Sequence, residues 1–247
     1  MKKKIVFLTL VLFFTANYSY SQLISIKGGP VIGFTAPSSD YGGETSDFYA
    51  GTKYGLKSGF NYGVMGKVSF GPIGGRLSIG YATLNNDGNS DPTQPNSTVA
   101  VKNNIFSFSI GAEFGFTIPF TPVRPYADID LLFSTISGTY NFQGTPEVTS
   151  GERNIESASR TGLGLALGTE IGFGKSFTLD LSLRYNLLNL FSKSYDGVTA
   201  SNDRNFAYGY INDDADPNYS ATNSKHPIGS SRTIATIQFN AGFLFGF

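Results

Sequence analysis

The chain has 247 residues, no Cys, a single His and a formal net charge of zero. The length suits one domain. The absence of Cys excludes a disulfide framework and a thiolate metal site. The balanced charge excludes the broad basic surface that binds nucleic acid, so we expect no nucleic-acid partner.

The first 21 residues have the pattern of a secretory signal peptide. A basic start at residues 2–4 precedes an apolar run at 5–14, and small residues lead to a cleavage position after residue 21. The apolar run is shorter than the roughly 18 residues that a membrane-spanning helix needs. We therefore predict a signal peptide at 1–21 and one exported domain at 22–247.

Eight segments after the signal alternate between apolar and polar residues. A period of two indicates strands whose two faces meet different surroundings. The last segment shows it best, with an aromatic face and a small or polar face. Each segment reaches the roughly 9–11 residues that a tilted strand needs to cross a bilayer. The predicted strands are Leu23–Phe34, Lys57–Phe70, Gly75–Leu84, Asn104–Phe116, Arg124–Tyr140, Arg160–Phe173, Phe177–Leu190 and Thr233–Phe247.

Short and long connections alternate along the chain. The short ones are rich in Gly and Pro, as tight turns require, and the long ones are polar. This alternation predicts an all-β, eight-stranded antiparallel transmembrane up-and-down β-barrel, with short periplasmic turns and long extracellular loops. The predicted turns are Gly71–Gly74, Thr117–Val123 and Gly174–Ser176, and the predicted loops are Thr35–Leu56, Asn85–Asn103, Asn141–Ser159 and Phe191–Arg232.

A soluble lipocalin-type barrel is the competing fold, because alternation alone does not say which face points inward. Two observations favour the membrane barrel. The polar phase contains Gly111, Gly164 and Gly168, which suit a crowded interior better than a solvated surface. The aromatic last strand has no role in a lipocalin.

The chain resembles small outer-membrane β-barrels of the OmpA-transmembrane, OmpX and PorT-like kind. The resemblance is carried by the segment SYSQ, the eight alternating segments and the final NAGFLFGF. It implies location in the outer membrane of a Gram-negative bacterium, among outer-membrane lipid and lipopolysaccharide. It also implies that Phe243, Phe245 and Phe247 form the signal that the barrel-insertion machinery reads.

The polar phase of the strands carries charges of both signs. An eight-stranded barrel is only wide enough for side chains to fill it, and buried charges must be paired. We therefore predict a lumen ion-pair network, with a cation path or proton relay as the alternative. Space beside the glycines of the sixth strand is expected to be filled by Tyr126, Leu132 or a long basic side chain, or to form a small cavity. The predicted network residues are Lys27, Lys67, Arg76, Glu113, Asp128, Asp130, Glu170, Asp180 and Arg184.

The last long loop holds the residues closest to a catalytic or metal-binding pattern. His226, with Ser230, Ser231 and Asp216 nearby in sequence, suggests a triad, but we expect a surface histidine. A single His without Cys does not make a zinc site. Residues Asn212–Asn218 resemble the opening of a calcium loop. Tyr219 and Lys225 replace the required Gly and Glu, so we expect a solvated acidic loop.

These observations predict a non-enzymatic outer-membrane barrel without metal or cofactor. Its polar lumen is expected to be plugged, and its role to be structural or the binding of an extracellular or periplasmic protein partner. The loops are rich in Tyr, Asn and Ser, which suit partner binding. The alternatives are a narrow pore or PorT-like transport or secretion accessory and, third, a barrel enzyme that modifies lipid A.

Overall fold

A computed structural model describes residues 24–174, 176–196, 204–222 and 226–246. Eight antiparallel strands pair in sequence order, and the last pairs with the first, so the sheet closes into a barrel. The strands are β1 Ser25–Ser38, β2 Gly59–Phe70, β3 Ile73–Asn89, β4 Thr98–Gly115, β5 Val123–Gln143, β6 Gly151–Phe173, β7 Phe177–Leu187 and β8 Ala235–Gly246. The predicted signal peptide, the first residue of the predicted first strand, Lys225 and Phe247 lie outside the described residues.

Helices are few and short. A 3-10 turn at Ser39–Tyr41 and helix α1 at Thr45–Ala50 follow β1, and helix α2 at Arg204–Tyr208 lies between β7 and β8. Within the described residues, no helix has the length and apolar character needed to cross a membrane.

The predicted eight-stranded barrel is confirmed, but several strand bounds differ. Strands β3 to β6 have 17, 18, 21 and 23 residues, whereas the other four have 11 to 14. The predicted loops at Asn85–Asn103 and Asn141–Ser159 are therefore wrong in extent, since the connections shrink to residues 90–97 and 144–150. Strand β7 ends at Leu187 rather than Leu190.

The outward face of the barrel forms an apolar band. Its side chains are exposed and mostly Phe, Leu, Ile and Val. Aromatic pairs occur at both ends of the band: the rings of Phe34 and Phe60 are 4.8 Å apart at the loop end, and those of Phe177 and Phe245 are 5.8 Å apart at the short-turn end. Two aromatic belts around an apolar band are typical of a barrel in a bilayer.

The two faces exchange character near the loop end. In β4, Phe106 points outward and Ile105 inward, and farther toward the loops Val101 is buried while Lys102 is exposed. Strand β5 repeats this change, because Phe142 is buried in the phase that holds charges lower in the barrel. An exchange of this kind is expected where a barrel wall leaves the bilayer, because the outer face then meets water and apolar side chains pack inside. The predicted bounds of β3, β4 and β6 stop near this exchange, because a single hydrophobic phase ends there. The predicted bound of β5 continues past it to Tyr140.

Candidate functional site: the lumen and its lid

The lumen near the short turns is occupied by a charge layer centred on Lys67. Its Nζ lies 2.7 Å from Glu113 Oε2, 3.0 Å from Glu170 Oε1 and 2.5 Å from Asp180 Oδ2, and the side chain is 2% exposed. The Tyr126 ring centroid lies 3.8 Å from the same Nζ. The Tyr126 hydroxyl donates to Asp180 Oδ1 at 2.7 Å. This lysine therefore joins carboxylates from three strands.

Two more cations complete this layer. Lys27 Nζ lies 2.6 Å from Glu170 Oε2, and Arg124 Nη1 donates to Glu113 and lies 3.5 Å from Glu170 Oε1. The set expected from sequence omits Arg124. Arg124 has the same alternating phase as Tyr126 and the two aspartates of β5. Because every second residue of a strand shares a face, this phase predicts that Arg124 faces the lumen.

A second charge layer lies next to the first. Arg76 Nη1 is 2.8 Å from Asp130 Oδ2 and 3.4 Å from Asp128 Oδ2, and its Nε donates to Met65 Sδ at 2.9 Å. Arg184 Nη2 is 2.8 Å from Asp128 Oδ2, and its Nη1 donates to Asp130. Each carboxylate of this layer therefore contacts both guanidinium groups.

The structure brings all nine expected lumen residues into these two layers. The layers hold five cations and five carboxylates, so their formal charges cancel. Unpaired burial of any one of them is costly, and the geometry leaves each with an opposite partner. The cations are Lys27, Lys67, Arg76, Arg124 and Arg184, and the carboxylates are Glu113, Asp128, Asp130, Glu170 and Asp180.

Glycines of β6 make room for the large side chains. A Cβ added to Gly168 would lie 2.4 Å from Cζ of Tyr126. One added to Gly164 would lie 3.0 Å from Arg184 Nη1 and 3.5 Å from Leu132. Tyr126, Leu132 and a long basic side chain thus occupy the space beside β6.

Between the second layer and the loops lies a cavity of about 70 Å³, lined by both polar and apolar side chains. Asn61 Nδ2 donates to Asn240 Oδ1 at 2.6 Å, and the hydroxyls of Ser78 and Ser109 are 2.6 Å apart. All four residues line the cavity. Its size suits a few small polar molecules such as water rather than a continuous channel.

The loop end of the barrel is closed by packed loop segments. We call residues 39–58, 144–150, 204–222 and 226–234 the lid. Its aromatic centre places the Phe48 ring 6.0 Å from Phe142 and 5.1 Å from Tyr208, with Phe142 and Tyr208 5.0 Å apart. Burial raises the pKa of the Tyr208 hydroxyl. This apolar centre is continuous with the inward side chains of the strand extensions.

Polar contacts tie separate loops of the lid together. Arg204 Cζ lies 3.9 Å from the Tyr49 ring centroid, and its Nη2 donates to the Tyr49 carbonyl at 2.5 Å. The Tyr49 hydroxyl donates to the Pro146 carbonyl at 3.3 Å. The Thr233 amide donates to Asp40 Oδ2 at 2.7 Å. These hydrogen bonds connect the loops that follow β1, β5 and β7 to one another.

Asp213 fixes the last loop to the barrel wall. Arg160 of β6 donates to both carboxylate oxygens at 2.9 Å, Asn189 Nδ2 donates at 2.7 Å and the Ser194 amide at 2.8 Å. Asp213 is fully buried, whereas Asp214 is exposed. The expectation of a solvated acidic loop at Asn212–Asn218 is therefore wrong for Asn212, Asp213 and Asp216, which are buried, whereas the other residues of the segment are exposed. Asn212 and Asp213 supply acceptors to the buried Arg232 and Arg160.

His226 is not the exposed histidine expected from the sequence. Its side chain is 11% exposed, and Nδ1 lies 3.3 Å from Asp216 Oδ2, which also accepts from the Tyr195 hydroxyl at 2.8 Å. The Ser231 hydroxyl instead donates to the Asp213 carbonyl. In the part of the chain that the structure describes, no group of three or more His, Asp or Glu is placed to hold a metal ion.

One protein family and several solved structures are similar to the chain. The family model described as outer membrane protein beta-barrel domain matches residues 5–226. No curated protein sequence matches the chain. Neisserial surface protein A is 14% identical, with a TM-score of 0.48, over 92% of this chain and 98% of that one. The N-terminal barrel of Pseudomonas aeruginosa OprF is 13% identical, with a TM-score of 0.41, over 90% and 97%. Yersinia pestis Ail, solved with the heparin analogue sucrose octasulfate, is 14% identical, with a TM-score of 0.38, over 89% and 99%.

Proposed function

Because the chain belongs to the outer membrane protein beta-barrel domain family, we propose that it is a non-enzymatic bacterial outer-membrane barrel with a plugged lumen. In this proposal the barrel acts structurally or binds a protein partner through its extracellular end. Residues 1–21 serve as the cleaved export signal. Phe243 and Phe245, exposed on the outward face of β8, act with Phe247 as the insertion signal.

The observation that carries the plugged lumen is the stacking of two obstructions along one barrel. The charge layers fill the periplasmic half, where the Lys67 side chain is 2% exposed. The lid closes the extracellular half with a packed apolar centre. A hydrated ion crossing the barrel would have to disrupt both.

The extracellular end supports a binding role because it is a preorganised surface. The lid is held by the buried ion pair of Arg160 with Asp213 and by cross-loop hydrogen bonds, so little ordering is required when a partner binds. Tyr219 is 47% exposed on this surface, and Tyr is a residue that supplies stiff contact area.

Conductance in planar bilayers tests the plugged lumen. We expect no steady current from the reconstituted barrel in high salt, while a wide porin in the same bilayers serves as the positive control. Stepwise, steady conductance that scales with salt concentration would reject the plug and support the alternative of a narrow pore or transport accessory.

Lipid A analysis tests the non-enzymatic assignment. The mass spectrum of lipid A should be unchanged by expression of the protein. A mass shift that is lost in the His226→Ala variant would instead support a lipid A-modifying enzyme, the third possibility that the sequence raises.

A further inference from the structure

The turn between β4 and β5, residues 116–122, carries an unusual phenylalanine. Phe120 is completely exposed, and its φ is +63°, in the left-handed region that bulky residues rarely adopt. Strained backbone conformations are frequent at functional sites, so an exposed apolar residue in this conformation is a candidate contact residue.

Hydrogen bonds hold the turn in this shape. The Ile118 amide donates to the Val123 carbonyl at 3.1 Å, and the Thr121 amide donates to the Ile118 carbonyl at 3.2 Å. The Thr121 hydroxyl donates to the same carbonyl at 3.1 Å. These bonds fix the backbone of the turn, in which the Phe120 ring is fully exposed.

The surroundings of Phe120 are apolar and uncharged. Phe116 and Ile118 are 56% and 38% exposed, and the outward face of β4 continues from them through Phe114. The segment from Phe116 to Val123 contains no charged residue. The exposed apolar band of the barrel thus extends without a break onto this turn.

We propose that Phe120, supported by Ile118, is an anchor that enters the boundary between headgroups and acyl chains of the periplasmic leaflet. Lipid is the occupant because the turn continues the outward apolar phase of β4 and carries no charge that would oppose burial in a bilayer. The anchor fixes the depth of the barrel at one side. This inference goes beyond the proposed function and holds whether or not the lumen conducts.

The absence of Trp from the chain makes a clean test possible. Three single-Trp variants are reconstituted in phosphatidylcholine vesicles: Phe120→Trp, the band variant Phe70→Trp and the control Phe142→Trp, at a buried position of the β5 extension. We expect Phe120→Trp to emit at shorter wavelength than free tryptophan, to resist acrylamide, and to be quenched at least twofold by lipids brominated near the headgroup. Lipid bromines should leave Phe142→Trp unquenched. Emission of Phe120→Trp like that of free tryptophan, with strong acrylamide quenching, would overturn the proposal and leave the turn available to a periplasmic protein.

A second pair of variants tests the anchoring itself. Phe70→Trp is compared with the double variant Phe70→Trp, Phe120→Ser, after circular dichroism has shown that both fold. Loss of the anchor should shift the bromine position that quenches residue 70 most strongly. An unchanged quenching profile would reject the claim that Phe120 sets the depth of the barrel.

Discussion

Lys67 is the single residue on which the charge balance of the lumen most depends. In Lys67→Met, Glu113, Glu170 and Asp180 lose their shared cation while remaining buried. Removing one partner from a buried pair costs about 3–5 kcal/mol, so we expect the free energy of unfolding to fall by about that amount. Urea unfolding in vesicles, followed by circular dichroism, measures it.

The matched control for Lys67 is Lys102→Met, which removes an exposed, outward lysine from β4. Its effect should stay within about 0.5 kcal/mol, as for most surface substitutions. Equal effects of the two variants would contradict the importance of the lumen layer.

Gly168 tests the packing of Tyr126 across the lumen. A Cβ at this position would lie 2.4 Å from the Tyr126 ring and 2.8 Å from the Leu181 carbonyl oxygen. Neither the Tyr126 ring nor the Leu181 carbonyl can move away freely, so Gly168→Ala should destabilise the barrel by about 1–3 kcal/mol. Gly75→Ala, where nothing lies within 4 Å of the added Cβ, should be neutral or slightly stabilising in the same unfolding measurement.

At the scale of the element, the last loop depends on Asp213. Asp213→Asn removes the charge that faces Arg160 and weakens the bonds to Asn189 and Ser194. We expect faster amide hydrogen exchange across residues 204–222 and 226–234, with the strand exchange nearly unchanged. The control variant Asp214→Asn changes the exposed neighbour of Asp213 and should leave amide hydrogen exchange in these segments unchanged. Equal protection in the two variants would show that Asp213 does not hold the loop.

The strands show which parts of the structure local sequence pattern predicts. Alternation places Asp128, Asp130 and Arg184 in the lumen, because a period of two assigns faces wherever lipid and lumen differ in polarity. It fails in the strand extensions, where the apolar phase moves to the other face between Ile105 and Phe106. The strands remain paired there, but their outer face is polar and their inner face is apolar.

The lid shows what local pattern does not predict. Arg204 contacts Tyr49 across 155 positions of sequence, and Asp213 binds Arg160 across 53. No short-range period connects such residues, and an Asp- and Asn-rich segment has the composition of a hydrated loop. The buried position of Asp213 follows only from the tertiary arrangement of Arg160, Asn189 and Ser194, which donate to its carboxylate.

At the scale of the whole molecule, the orientation of the barrel has a direct chemical test. The chain contains no Cys, so a single one is a unique label site. Asp87→Cys lies on the exposed face of the β3 extension, and Ser176→Cys lies in a short turn. On intact cells, a membrane-impermeant maleimide should label Asp87→Cys alone, and Ser176→Cys should react once the outer membrane is permeabilised. The reverse pattern would contradict periplasmic short turns.

The bond from the Thr233 amide to Asp40 joins the two ends of the domain across 193 positions. This contact requires the segment after the first strand and the segment before the last strand to lie side by side. The mouth of the nascent protein therefore seals late, when contacts of long sequence separation become possible. A chain that lacked its last strand would leave the apolar centre of the lid exposed. This exposed apolar surface would distinguish incomplete barrels from complete ones.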